Sequence, residues 1–309
     1  MTAALRSLLS GVIDYAGLFP PARLPLSEAV AHFAAYRESE PAWMLRHFIL
    51  STNQLDELAA CAEPLGQDRP WTLSLLVAAD QQEELDRIEA FANTAAGDLR
   101  VAALEIALSA EGPQKRDPLG RQIERLLEQL GDHSLGGVDL FFEAADEEQR
   151  RALAEVLAGL DSADRVLGLK LRTGGLEARQ FPTAAELAEV IGLCETHRIA
   201  WKATAGLHHP LPHDCPQTGA TMHGFLNLLF AVVLLRAGEI GPETIQAVLT
   251  DRQSDHFSIS ETHLHWQQAA AEIAQIEAGR QRFLCFGSCS FQEPLEELAQ
   301  LGLLAAATG

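Results

Sequence analysis

Short apolar runs of four to eight residues alternate with longer stretches whose apolar residues recur every three or four positions, and the alternation occurs eight times. The runs lie at 11–18, 44–50, 72–77, 101–107, 138–142, 166–171, 199–203 and 283–286; the stretches between them include 26–36, 81–91, 122–130, 147–157 and 183–197. A compact apolar run bounded by turn residues reads as a buried strand, and a period near 3.6 reads as a helix. Strands alternating with helices predict βα units and a parallel sheet. Eight units without a break in composition predict an α/β fold, a (β/α)8 TIM barrel forming one domain over residues 1–309. The length suits it, since barrels of roughly 250 residues fold as single domains.

The rhythm breaks after the seventh strand. Residues 210–219 are rich in Pro, His and Asp and read as an irregular loop. Residues 221–282 hold helical stretches at 225–235 and 243–249, then a hairpin pattern at 257–260 and 263–266. The whole of 210–282 is therefore expected as a loop, helical and hairpin insertion between strands seven and eight, at the barrel's active end. Its helix over 223–235 is apolar nearly all round, with Asn227 the one polar residue in its middle. Such a surface needs a cover, either the inserted hairpin or a second copy of the chain in a homo-oligomer.

Charge narrows the partners. Asp and Glu number 43 against 23 Lys and Arg, a net charge of −20, which repels nucleic acid and anionic membrane and leaves a small molecule as the expected ligand. The longest apolar run, 228–235, is far short of the roughly 20 residues that span a bilayer. Five scattered cysteines suit a reducing compartment, and the apolar start carries Arg6 and Asp14 without a small-residue cleavage site, so a cytoplasmic protein is expected.

Lysine is nearly absent: only Lys115, Lys170 and Lys202 occur, and the other 20 basic residues are arginine. Lys115 lies in a polar loop, whereas Lys170 and Lys202 interrupt apolar strands. Alternate strand residues face a barrel's interior, so if Leu167, Leu169 and Leu171 face the helices, Lys170 and Arg172 face inward. Lys202 and Thr204 face inward by the same parity, and the two lysines are expected to share one pocket. A buried ammonium either pairs with a carboxylate, here Glu105, Glu143 or Asp14, or gives up its proton and becomes a nucleophile able to form an imine with a carbonyl.

The segment Lys170-Leu171-Arg172-Thr173-Gly174 resembles the Lys-x-x-Thr-Gly stretch on the sixth strand of deoxyribose-phosphate aldolase, a class I aldolase barrel. Lys202-Ala203-Thr204-Ala205-Gly206, 32 residues on, is similar to that family's seventh-strand Lys-x-x-Gly-Gly segment, and Phe286-Gly287-Ser288-Cys289-Ser290 to its eighth-strand Gly-x-Ser stretch. The resemblance implies that Lys170 forms the imine and that Lys202 lowers its pKa. It also implies that Gly206, Gly287, Ser288 and Ser290 hold the anionic group of the substrate, and Glu105 takes the place of the strand-borne acid of the proton relay. With Arg172 to depress the lysine's pKa or bind the anion, and Asp14 or His208 as further proton carriers, the expectation is an aldolase-like lyase acting on a small anionic carbonyl compound without a cofactor.

Two other readings stay open. His208, His209 and His213, with Cys215 and His223 nearby, are transition-metal ligand types in a loop at a strand end, which allows a metal-dependent hydrolase or lyase in which the lysines orient the substrate. A barrel without catalysis could use the same cations to bind a small anionic ligand. Ser288 and Ser290 also have a plainer reading, as caps of the helix that follows.

Overall fold

The computed structural model describes residues 1–61, 70–78, 82–94, 99–133, 135–160 and 162–305. Eight strands build the barrel: β1 (Ile13–Tyr15), β2 (Leu45–Ser51), β3 (Trp71–Ala78), β4 (Leu99–Ala107), β5 (Asp139–Glu143), β6 (Leu167–Arg172), β7 (Ala200–Thr204) and β8 (Phe283–Ser288). Each pairs in parallel with its neighbour, and β1 closes the ring by pairing with both β2 and β8. This is the predicted (β/α)8 barrel. Strand β1 is shorter than the predicted 11–18, because Gly11 takes a left-handed φ of +56° and the chain turns after Tyr15, with Phe19 N–H bonded to the Ala16 carbonyl.

Helices α1 (Ala3–Leu9), α2 (Leu26–Glu38), α3 (Leu55–Cys61), α4 (Gln82–Thr94), α5 (Arg116–Asp132), α6 (Glu147–Gly159) and α7 (Ala184–His197) precede or follow the first six strands. Position 81, where the sequence starts its second helical stretch, lies outside the described residues. Helix α7 shows why these segments begin where they do. The Thr183 hydroxyl accepts the Glu186 N–H while the Glu186 carboxylate accepts the Thr183 N–H, so two otherwise unpaired donors are satisfied reciprocally.

The apolar core lies between strands and helices, not inside the barrel. Leu167, Leu169, Leu171, Trp201 and Ala203 face it, as strand parity requires. Their neighbours Gly168, Lys170 and Lys202 face the interior. There Phe141 of β5 occupies the middle, made possible by Gly168, where a Cβ would come within 2.8 Å of the Phe141 ring.

Between β7 and β8 come a short ribbon (His213–Asp214 with Thr221–Met222), α8 (Phe225–Ala237), α9 (Ile245–Thr250), a three-stranded antiparallel meander (Phe257–Ile259, His263–Trp266, Ala269–Glu272) and α10 (Ile273–Arg280); α11 (Gln292–Gln300) follows β8. Every residue of α8 from Phe225 to Leu234 is buried within the one chain. Phe225 stacks on Phe286 of β8 at 5.0 Å and Phe230 meets Phe257 of the meander edge-on at 5.2 Å. The buried Asn227 amide donates to the carbonyls of Val248 and Asp251, both at 2.7 Å. Of the two covers that the sequence left open for this helix, the chain's own meander is the one present. Helix α8 also packs on the barrel wall, so it serves the seventh βα unit, and the added material begins after it. The meander lies on the barrel's flank, where the Glu261 carbonyl also accepts the N–H of Ala4 in α1. Among the described residues no helix is long and apolar enough to cross a membrane.

Candidate active site

Strands β6 and β7 set Lys170 directly opposite Lys202 and Arg172 opposite Thr204. Both lysines point inward, yet they do not crowd each other. Glu105 of β4 stands between them: Lys202 Nζ donates to its Oε1 at 2.6 Å, and Lys170 Nζ lies 2.9 Å from its Oε2. Lys202 also reaches Asp14 Oδ2 of β1 at 2.5 Å, and Lys170 lies 2.9 Å from Glu143 Oε2 at the end of β5. Arg172 Nε then donates to Glu143 Oε1 at 3.1 Å. Six groups from five strands thus alternate in sign, Asp14, Lys202, Glu105, Lys170, Glu143, Arg172, with a net charge of zero. Cation crowding around Lys170, expected from the sequence, is absent. Lys202 and Arg172 press on the carboxylates that flank Lys170, not on its amine, so the paired-ion alternative describes the geometry.

Secondary partners fix the chain. The Ser74 hydroxyl donates to Glu105 Oε1 at 2.7 Å, and the Cys285 thiol to Asp14 Oδ2 at 3.0 Å. Asp14 Oδ1 accepts the backbone N–H of His47 at 3.1 Å. The Phe141 ring centroid lies 5.5 Å from Lys202 Nζ. Burial by itself would raise the carboxyl of Asp14, but Lys202, then His47 and Arg46, hold it below the usual carboxylate range. Glu105, equally buried, is held well below that range by Lys170 and Lys202. Burial works against the Lys202 ammonium, but Asp14 and Glu105 outweigh it and raise its pKa. At His47 the balance goes the other way: desolvation outweighs the pull of Asp14 and lowers it to about 4, so it is a neutral imidazole that accepts from Arg46 Nε at 3.0 Å. Cys285, desolvated beside Asp14, is pushed up to about 12.

The wire runs from a closed floor to an open rim. Lys202 is 0% exposed, Lys170 is 7% exposed, and the Arg172 side chain is 47% exposed. Lys170, Glu143 and Arg172 line a cavity of about 490 Å³ at the C-terminal ends of β4, β5 and β6, walled on its far side by α6, α7 and the segment before α7. This is the end of the barrel at which reactive groups gather in enzymes of this architecture.

The other predicted residues lie elsewhere. Gly206, with φ +75°, belongs to a turn that packs on the other motif glycine: a Cβ on Gly174 would come within 2.6 Å of Gly206 Cα. The two glycines let the ends of β6 and β7 close on each other. Ser288 spends its hydroxyl on the Ser290 carbonyl at 2.6 Å, and the Ser290 hydroxyl accepts the Glu293 N–H at 3.1 Å, so both serve the entry to α11. Gly287 pairs beside Asp14 of β1. His208 Nδ1 lies 3.1 Å from Glu293 Oε2 and 4.0 Å from Cys289 Sγ; although burial alone would lower it, these two partners raise it to about 9. His209 Nδ1 pairs with Glu297 at 2.6 Å, and His213 lies against the His209 ring at 4.3 Å. The three histidines therefore face different partners. Among the described residues no three His, Cys, Asp or Glu side chains are grouped to hold a metal ion, which corrects the metal-centre alternative.

Sequence reasoning left Ser74, His47 and Cys285 out of the site and gave Glu143 only as a possible ion partner. Ser74, His47 and Glu143 follow from the parity that placed the lysines, since each is a polar residue at an inward position; Cys285 does not, because the register of β8 shifts between Phe283 and Phe286. Arg150, on α6 at the cavity wall, carries no strand signal at all.

No protein-family model matches the chain, and no curated protein matches it. Among solved structures it is similar to CcCel6C, a glycoside hydrolase family 6 enzyme from Coprinopsis cinerea, at 12% sequence identity and a TM-score of 0.22. That match covers 68% of this chain and spans 62% of the length of the other.

Proposed function

We propose that this barrel is a Schiff-base-forming, aldolase-like lyase for a small anionic carbonyl compound, with Lys170 as the nucleophile. One observation carries the reading: the Lys170 amine stands at the wall of a cavity between a fully buried carboxylate, Glu105, and a carboxylate at the rim, Glu143.

An ammonium must lose a proton before it can attack, and Glu143 is the acceptor within reach, beside solvent. The free amine adds to the carbonyl carbon; the proton returns to the carbinolamine hydroxyl, which leaves as water. The product is an iminium, so a cation at Lys170 is replaced by a cation. While the amine is neutral Glu143 holds the proton and Glu105 keeps Lys202, so no buried carboxylate is stranded, which would be costly in a low-dielectric interior. The iminium then accepts the electron pair of the breaking carbon–carbon bond as Glu143 takes the proton of the hydroxyl on the departing carbon, which leaves as a carbonyl; the enamine takes that proton at carbon, and water hydrolyses the resulting iminium to release the second carbonyl and restore Lys170. Addition runs through the same steps in reverse. Lys202 acts from behind, holding Glu105 ionised and oriented.

Intact-mass measurement after borohydride treatment tests this with a panel of small aldehydes and 2-oxo acids. Wild type gains one reduced adduct of substrate size. Lys170→Ala gains none, and neither does Lys170→Arg, which keeps the charge between Glu105 and Glu143 without an amine able to form the imine. An adduct of equal size on Lys170→Arg would move the nucleophile elsewhere. No adduct on wild type with any panel member would remove the imine reading in favour of a barrel that only binds its anionic ligand.

A further inference from the structure

We propose that the cavity beside Lys170 is built to hold an oxyanion, a carboxylate or phosphate at the far end of the substrate, and that Arg150 and Arg172 are its ligands. The inference deepens the imine reading, which supplies the chemistry at the other end.

The chain carries a net charge of −20, yet the cavity wall holds Lys170, Arg150, Arg172 and Arg179 against Glu143 and Glu186. Both acids are committed. Glu143 contacts Lys170 and Arg172, and Glu186 accepts the N–H and hydroxyl of Thr183 at 2.6 and 2.8 Å. The cations are less fully used. Arg172 engages Glu143 through Nε, and among the described residues its two terminal nitrogens make no hydrogen bond. Arg150 is half-buried, and its charge reaches Glu186, but among the described residues its side chain makes no hydrogen bond and no ion pair within 4 Å. Arg179 differs: it pairs with Glu177 at 2.7 Å on an 82% exposed side chain.

Arg150 and Arg172 thus present donors to the cavity that no side chain among the described residues takes up, and an oxyanion that meets them gains charge-assisted hydrogen bonds. The planar fork of donors matches carboxylate or phosphate geometry. The volume of about 490 Å³ lies in the range of small-molecule sites, roughly 300 to 1,000 Å³. The opposite side of the mouth offers no such site. There the Ser288 and Ser290 hydroxyls are spent locally, and the Glu293 carboxylate stands beside them.

Titration calorimetry of the full chain with inorganic phosphate and, separately, with malonate tests the site without any carbonyl chemistry. One of the two anions binds wild type, which names the group. Its affinity falls about 10- to 100-fold in Arg150→Gln, as expected for losing a charge-assisted hydrogen bond, and stays unchanged in Arg179→Gln. In borohydride trapping, Arg150→Gln raises the half-saturating concentration of a charged carbonyl, pyruvate or glycolaldehyde phosphate, but not that of acetaldehyde. Failure of both anions to bind, or equal binding by wild type and Arg150→Gln, overturns the inference, whatever the adducts show. Anion binding without an adduct from any carbonyl leaves the site standing and removes the imine reading.

Discussion

Lys170 and Lys202 face each other across adjacent strands and share one carboxylate, but they stand on opposite sides of the boundary between fold and chemistry. Lys202 is sealed between Asp14 and Glu105, both wholly buried. Lys170 has one buried partner and one at the rim, and it opens onto a cavity. A lysine locked by two desolvated carboxylates is an anchor. One whose second carboxylate can exchange protons with solvent can react.

Removing the anchor should have the largest effect. Lys202→Met leaves Asp14 and Glu105 without their shared cation at the closed end of the barrel, where breaking a buried ion pair costs about 3–5 kcal/mol. Lys170→Met should cost less, about 1–3 kcal/mol, because Glu105 keeps Lys202 and Ser74 while Glu143 keeps Arg172 and nearby solvent. Urea unfolding of the two variants ranks them directly. Equal losses would erase the distinction between anchor and reactive group.

The same contrast between floor and rim recurs in two histidines, with opposite signs of pH dependence. His47 has its folded pKa lowered to about 4 from 6.5. The unfolded chain therefore binds an extra proton between those values, and stability present above pH 6.5 is lost as pH falls toward 4, by about 3 kcal/mol. His208 is raised to about 9 from 6.5. Its contribution is complete below pH 6.5 and is lost as pH rises through 9, by about 2 kcal/mol after allowance for the partly exposed Glu293 partner. Below about pH 4 the depressed carboxylates Asp14, Glu105 and Glu143 add a further loss as they protonate. Stability should peak near pH 6.5, with the acid limb flattened by His47→Gln and the alkaline limb by His208→Gln. Unchanged limbs in both variants would take the histidines out of the account.

Most of the floor was legible in the sequence, because a strand obeys a period of two. An apolar run interrupted by Lys170 or Lys202 says which way that lysine points, and the same count puts Asp14 and Glu105 inside. Charge order was not legible. Parity makes the two lysines neighbours but says nothing of a glutamate from two strands away inserting between them, and so it suggested repulsion where the molecule has alternation. Glu143 lies one residue past the apolar run that marked its strand. Arg150 is still harder to find, since a cation on an amphipathic helix reads as solvated surface until the tertiary fold turns that helix toward β6. The eighth-strand serines misled for a different reason: a Gly-x-Ser stretch before a helix suits an anion and a helix cap equally well, and only the hydrogen-bond partners separate the two.

That last ambiguity yields the smallest effect. The Ser290 hydroxyl accepts the N–H of Glu293 in the first turn of α11. Ser290→Ala should therefore lower unfolding stability by about 1 kcal/mol, the usual value of such a cap, because one first-turn donor loses its acceptor. It should leave the half-saturating concentration of a charged carbonyl in borohydride trapping where it is in wild type, since the oxyanion is assigned to Arg150 and Arg172 across the mouth. A roughly tenfold rise in that concentration with stability unchanged, about 1.4 kcal/mol of lost binding, would return the anion to the β8 side and leave the cavity's arginines without a ligand.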